Sequence, residues 1–423
     1  MLAKKFFIGP QWLRDNNNHC NFGGEKMFRG KKTALLVAGS IWLGLLLSWG
    51  GPSAAPAVAA QGQDKVSAQQ PGEQQPSYQV ITDLIAGNPV DAAVLAGLVN
   101  PPGFQDYIQG IEEVWRGFAN RHLQPIRQWA AQEIGDSSTA TVFYPFSGPD
   151  LVNLLAFFPK AKTYVLLALE PVGTLPVFRP GANEPFYQSL EYALNELLQF
   201  NFFFTNQMAH DLRRQELNGV LPLLLFFLGR EQAQVKEVTY LLHSPEQQLQ
   251  EKPALPGEKV SGPGIPGVRI IFQRGASEPE QAIYYFSINL QNASWRQSPQ
   301  FVEYLKGLGP FQTLVKAASY LMFKPHYGDI RQFILSNSLM VLQTDEGIPV
   351  RYFAAEQWER RFFGVYKRPI ALFQNCYQPD LAALYQQQPV APLPFGIGYH
   401  HRRNSANLML ARRLPRLVEE GGN

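Results

Sequence analysis

Three carboxylates stand where acid–base or ligand chemistry could be done: Asp150, Glu170 and Asp345. Asp150 closes the turn Ser147-Gly148-Pro149-Asp150, and Glu170 ends the apolar run TYVLLALE twenty residues on. A strand, tight turn, short helix and second strand ending in an acid is the outline of a nucleotide- or S-adenosylmethionine-binding unit. In such a unit Ser147 and Gly148 would approach the ligand and Glu170 would accept ribose hydroxyls. The turn itself argues against phosphate. It has one glycine, Pro149 removes an amide, and Asp150 puts negative charge in the first helical turn. The same residues make an ordinary helix start, with Ser147 as cap and Pro149 in the first turn. S-adenosylmethionine carries no phosphate and escapes that objection, but it is a cytoplasmic metabolite. No cofactor is expected.

Asp345 and Glu346 precede Gly347, which reads first as the turn of a hairpin over 339–353. The competing role is general acid or base, should a cleft lie beside them. YHHRR (399–403) is the densest positive cluster. On two adjacent strands, His401, Arg402 and Arg403 beside Arg412 could meet an anionic group of a glycan or lipid. A solvated strand end is the plainer reading. The remaining histidines are scattered, so no metal site is expected. No Gly-x-Ser-x-Gly, P-loop, His-Glu-x-x-His or Cys-x-x-Cys occurs.

The elements that must position these residues alternate between helix and strand. Helices are expected over 80–87, 89–99, 104–134, 185–215 and 219–229, the last buried because it is apolar all round. Strands are expected at 141–146, 163–170, 235–243, 268–275, 282–290, 394–401 and 406–414. A helical stretch over 298–323 breaks near Gly307 to Pro310, and another helix opens at Asp329. The class is α/β, a mixed sheet with flanking helices, beginning with a Rossmann-like (methyltransferase-like) strand–helix–strand unit. The Pro/Gly-rich segment 244–267 divides an 80–243 part from a 268–414 part, and 415–423 is a tail.

The chain has 423 residues, 45% hydrophobic and 17% charged, a globular composition. Its net charge of +3 is concentrated at one end. Residues 1–60 hold seven basic and two acidic groups of the 37 and 34 in all, leaving 30 and 32, a net of −2. That gives no electrostatic case for nucleic acid. MFRGKK, the apolar TALLVAGSIWLGLLLSW and the small residues ending Ala57-Val58-Ala59 read as a signal peptide over 27–60. An uncleaved N-terminal anchor is the alternative. Residues 1–26 read as a misassigned extension, with Met27 the initiator. The Gln/Pro-rich 61–79 is a disordered linker. Of the two cysteines, Cys20 lies in the leader, so the mature chain can form no internal disulfide and Cys376 reads as a small buried hydrophobe.

FYPFSGPD with TYVLLALEPVG, KAASYLMF (316–323), LQTDEGIPVRYF (342–353) and LPFGIGYHHRRNSANLMLARR (393–413) together resemble a set of exported bacterial proteins. The resemblance covers most of 140–413. It implies one shared architecture and no established activity. The expectation is an exported soluble protein that binds or assembles a cell-envelope molecule, periplasmic or secreted. Its partner is an envelope ligand or protein, and it meets the membrane only through its leader. The alternatives are an enzyme with an unfamiliar site of Asp150, Glu170 and Asp345, or a degenerate S-adenosylmethionine-type fold.

Overall fold

Local signals start the first helices, the earliest at Tyr78, inside the 61–79 segment read as a disordered linker. Ser77 Oγ accepts the Val80 amide and opens α1 (Tyr78–Ala86), which ends at Gly87 in the left-handed region, φ 68°. Asp91 accepts the Ala93 and Val94 amides at the head of α2 (Ala92–Leu98). The helix expected over 104–134 is two: α3 (Pro101–Phe118) and α4 (Gln124–Glu133), joined by a π-helical turn at Ala119–Leu123. The computed structural model describes residues 76–99, 101–136, 140–201, 217–244, 246 and 249–415. These belong to one compact unit. The leader, nearly all of the linker, residues 202–215 of the fourth expected helix and most of the tail lie outside the described residues.

One mixed sheet of eleven strands runs through the unit, in the order β10-β9-β11-β8-β7-β1-β2-β6-β5-β3-β4. Its middle is parallel: β8 (Ser338–Gln343), β7 (Phe311–Val315), β1 (Thr141–Pro145), β2 (Thr163–Ala168) and β6 (Gln281–Ser287). On one side, β5 (Ile265–Gln273), β3 (Gln234–His243) and β4 (Gln250–Pro253) continue antiparallel. On the other, β11 (Asn407–Arg413) and β9 (Trp358–Gly364) do so, and the two-residue β10 (Val390–Ala391) pairs parallel to β9. Strands from both sides of the 244–267 segment therefore share one sheet.

Alternate residues of the central strands feed two cores, as strand geometry requires. Val142, Tyr144, Tyr164 and Leu166 face one cluster with α1, α3, α4, α5 (Leu151–Phe157), α6 (Glu184–Phe200) and α7 (Leu221–Arg230). Phe143, Val165, Phe311 and Val341 face the other. That face is covered by α8 (Asn292–Arg296), α9 (Pro299–Leu308), α10 (Gly328–Asn337) and α11 (Pro379–Gln387). Leu221 to Gly229 are all buried, so α7 needs no polar face. Its Gly229 packs so closely on α1 that an added Cβ would lie 2.5 Å from Ala86 Cβ.

Several expectations change. The 298–323 stretch is not helical past Leu308: it contains β7, a central strand. The 339–353 segment is not a hairpin. β8 ends at Gln343, and a buried loop leads to a 3-10 turn at Val350–Tyr352. Residues 394–401 are not a strand either. They fold back on themselves through one Ile397–His400 bridge, because Gly396 lies where a Cβ would strike the His401 carbonyl and Gly398 is left-handed at φ 59°. Among the described residues no helix is long and apolar enough to cross a membrane.

Candidate site at the ends of the parallel strands

Because β1, β7 and β8 are parallel neighbours, the loops leaving their C-terminal ends lie along one edge. The chain leaves β1 for β2 on one side and leaves β7 for β8 on the other. Such a reversal opens the crevice in which α/β sheets hold ligands. The loops bordering it are held in an unfavourable backbone region. Phe146, Ala317, Ser319 and Tyr320 all have φ between 50° and 61°. A non-glycine residue there costs on the order of 1 kcal/mol or more.

Asp150 occupies the cap position of α5, but its carboxylate does not cap that helix, and neither does Ser147. Its Oδ2 accepts from the Tyr144 hydroxyl at 2.9 Å and from Lys316 Nζ at 2.7 Å, and its Oδ1 accepts from Asn153 Nδ2 at 2.8 Å. Lys316 also donates to the Asn201 carbonyl at 2.6 Å, and Asn153 to Asn201 Oδ1 at 2.8 Å. Asp150 and Lys316 are 2% and 1% exposed. This ion pair therefore ties β1, α5, the end of α6 and β7 together out of reach of water. The expected helix-start role of Asp150 is replaced by that of a buried counter-charge.

The second group follows β8. Asp345 accepts from the Tyr320 hydroxyl at 2.5 Å and Asn407 Nδ2 at 2.8 Å, with His400 Nε2 3.6 Å away. Its own carbonyl accepts from Gln378 Nε2 at 3.0 Å. Glu346 is fully buried. Its Oε1 accepts the Tyr399 amide at 3.2 Å, it shares a hydrogen bond with Asp345, and its Oε2 has no partner. Burial first, and the Asp345 charge and hydrogen bond second, hold the Glu346 carboxyl well above the ordinary carboxylate range. Only glycine fits at 398, where a Cβ would collide with Glu346 Oε1. Asp345 and Glu346 are thus buried residues and not the solvated turn of a hairpin. The Tyr144 hydroxyl is bonded to Asp150 and is raised by burial first and then by the Asp150 charge.

Glu170 lies on the other flank of the Ser147–Asp150 turn, 2% exposed. Its Oε1 is 3.7 Å from the position of a Cβ on Gly148, and its Oε2 is buried without a partner. Burial raises its carboxyl to about 7 against the hydrogen bonds of its own amide and that of Leu169. The loop beyond it is fastened where Gly173 and Gly219 touch backbone to backbone, with the Val220 and Leu221 amides on the Pro171 and Val172 carbonyls. Ser147 and Gly148 do not form an open cradle. The amides of Ser147, Asp150 and Leu151 donate to Leu167, Ser147 and Pro149, and Ser147 Oγ turns to the Gly148 carbonyl. A phosphate there would have to displace internal bonds.

The expected basic cluster separates. Arg412 donates to the Glu133 and Ile134 carbonyls at the end of α4, while Arg402 and Arg403 are exposed in the turn before β11. Arg403 borders a shallow depression with Gly364, Val365 and Leu393. His401 is half-buried. Sequence reasoning missed Lys316, Tyr144, Tyr320, Asn153, Asn407 and His122. His122 sits on the π-helical turn, its Nδ1 has no partner, and it is lowered to about 4 by burial, then Arg121, Lys316 and His401. The spacing Asp150-x-x-Asn153 was visible as a helix-face pair; Lys316 carried no signal beyond a lysine closing an apolar run. Among the described residues no group of three or more His, Cys, Asp or Glu is arranged to hold a metal ion.

Comparison with known proteins finds no matching family model, no similar curated protein and no similar solved structure.

Proposed function

We propose that this is an exported protein that takes a cell-envelope molecule at the C-terminal edge of its parallel strands, on a Rossmann-like frame begun by β1, α5 and β2. The observation that carries the reading is the convergence of Asp150, Lys316, Asp345 and Glu346 at the ends of three neighbouring strands, all of them buried. Loops held in costly backbone conformations beside such a cluster are what preorganised sites look like. In this reading Asp150–Lys316 fixes the loops. The unpartnered Glu346 Oε2, and Glu170 Oε2 across the turn, are the groups a polar ligand would engage.

A second reading, an enzyme, is favoured by one detail. Glu346, held protonated beside Asp345, is a proton donor next to an acceptor, the arrangement acid–base catalysis uses. One experiment separates the readings. The chain is melted with N-acetylated amino sugars, nucleotides and S-adenosylmethionine, beside Glu346→Gln and Glu170→Ala, and the ligands are then examined by mass spectrometry. A ligand at a hundred times its Kd adds about 2.7 kcal/mol, a readily measured melting shift. A sugar shift lost in Glu346→Gln supports the binding reading, and turnover lost with it supports the enzyme. An adenosyl shift lost only in Glu170→Ala moves the site to the Ser147–Asp150 turn. No shift with any of them contradicts the proposal.

A further inference from the structure

Two arginines without acidic partners share one exposed ring on the same edge of the sheet. Arg331, in the first turn of α10, and Arg351, in the 3-10 turn after β8, both lie over Tyr352, with guanidinium carbons 4.2 and 5.1 Å from the ring centroid. Tyr352 is 37% exposed. Arg331 Nη1 donates to the Met322 carbonyl at 2.5 Å, two residues beyond Tyr320, and its Nη2 runs along the open backbone of Gly328. Neither guanidinium is ion-paired with a carboxylate among the described residues. Arg296, by contrast, is gripped by both oxygens of Asp329.

Stacking on the ring orders the two cations without neutralising them. Their charges repel: Arg331 lies below its ordinary range, through burial first and then Arg351. Two guanidinium forks offer more N–H donors, in more directions, than one planar carboxylate can accept. A tetrahedral oxyanion with up to two negative charges matches the charge of the pair and can accept from both forks. The pair is also connected to the site described above, since the Val350 amide donates to Gln378, whose Nε2 donates to the Asp345 carbonyl.

We propose that Arg331, Arg351 and Tyr352 form a binding site for a phosphate-type oxyanion, either free phosphate, a soluble phosphate ester or a phospholipid headgroup. The inference does not rest on the Asp345–Glu346 reading, because anion binding is measured without any turnover or sugar ligand.

The test titrates the full chain calorimetrically with inorganic phosphate, glycerol 3-phosphate and acetate at fixed ionic strength. In parallel it is co-sedimented with vesicles of phosphatidylglycerol or of phosphatidylcholine. The expected result is saturable binding of phosphate and its ester, with acetate ineffective and at least about tenfold loss in Arg351→Gln. Binding only to phosphatidylglycerol vesicles, lost in the same variant, assigns the lipid source. Arg351 is exposed and makes no hydrogen bond among the described residues, so the melting temperature of Arg351→Gln checks that the fold is intact. Arg331→Gln, which also loses the Met322 contact, is the second variant. Absence of binding to every probe, equal binding of acetate, or binding unchanged in Arg351→Gln would overturn the proposal.

Discussion

Removing either member of the Asp150–Lys316 pair leaves a charge buried with no partner, whereas removing both leaves only a polar gap. Lys316→Met is therefore expected to cost about 3–5 kcal/mol of stability. Lys316→Met with Asp150→Asn should cost less than the two single changes added together. Denaturant titration of the four proteins checks this, and additive losses would mean that the pair is not coupled. Glu170 gives a pH signature. Its carboxyl rises from an ordinary 4.5 to about 7 in the fold. Its contribution to stability is thus fully present below pH 4.5 and lost as pH rises through 7, a difference of about 3 kcal/mol. Glu170→Gln removes that dependence, so the variant should match the parent in acid and exceed it above pH 8. Melting curves that stay parallel from pH 4 to pH 8 would contradict the assignment. At this scale the sequence named Asp150, Glu170 and Asp345 as the residues to watch but misjudged their surroundings. It read Asp150 as a helix-start residue and Asp345 as a turn residue, because a local window shows caps and turns and not the lysine 166 positions away that pairs with Asp150.

Elements with long periodic patterns were legible, and short or fully buried ones were not. The apolar run 219–229 was recognisable as a buried helix because no face of it is polar. FQTLV, the strand β7, is five residues long and follows a helix closely, so it was absorbed into a helical stretch. That single miss hid the reversal of strand order, since Lys316 and Tyr320 leave the end of β7. GIGYHH looked like a strand by composition, but its glycines serve a reversal against Glu346 and His401. Close packing between elements yields a further expectation. Gly229→Ala would press a methyl to 2.5 Å from Ala86 Cβ and 3.2 Å from Thr82. Overpacking of this kind costs about 1–3 kcal/mol, measurable as a lower denaturation midpoint. A neutral result would show that α1 and α7 can move apart.

For the whole molecule, the sheet ignores the division suggested by the Pro/Gly-rich segment. β3 and β5 lie on either side of it and pair over nine register positions. A tryptic cut at the exposed Lys259 should therefore leave both pieces in one particle on native gel filtration; separation would show two independent domains. The central claim is that the strand ends form one site in which Glu346 holds a proton ready for a bound molecule. The most direct measurement is the infrared spectrum, at neutral pH, of the full chain carrying Glu170→Gln, which removes the other buried carboxyl that is raised. The account predicts a protonated-carboxyl band that disappears in Glu346→Gln and persists in Glu303→Gln, a surface control. A spectrum without that band, or one unchanged by Glu346→Gln, would contradict it.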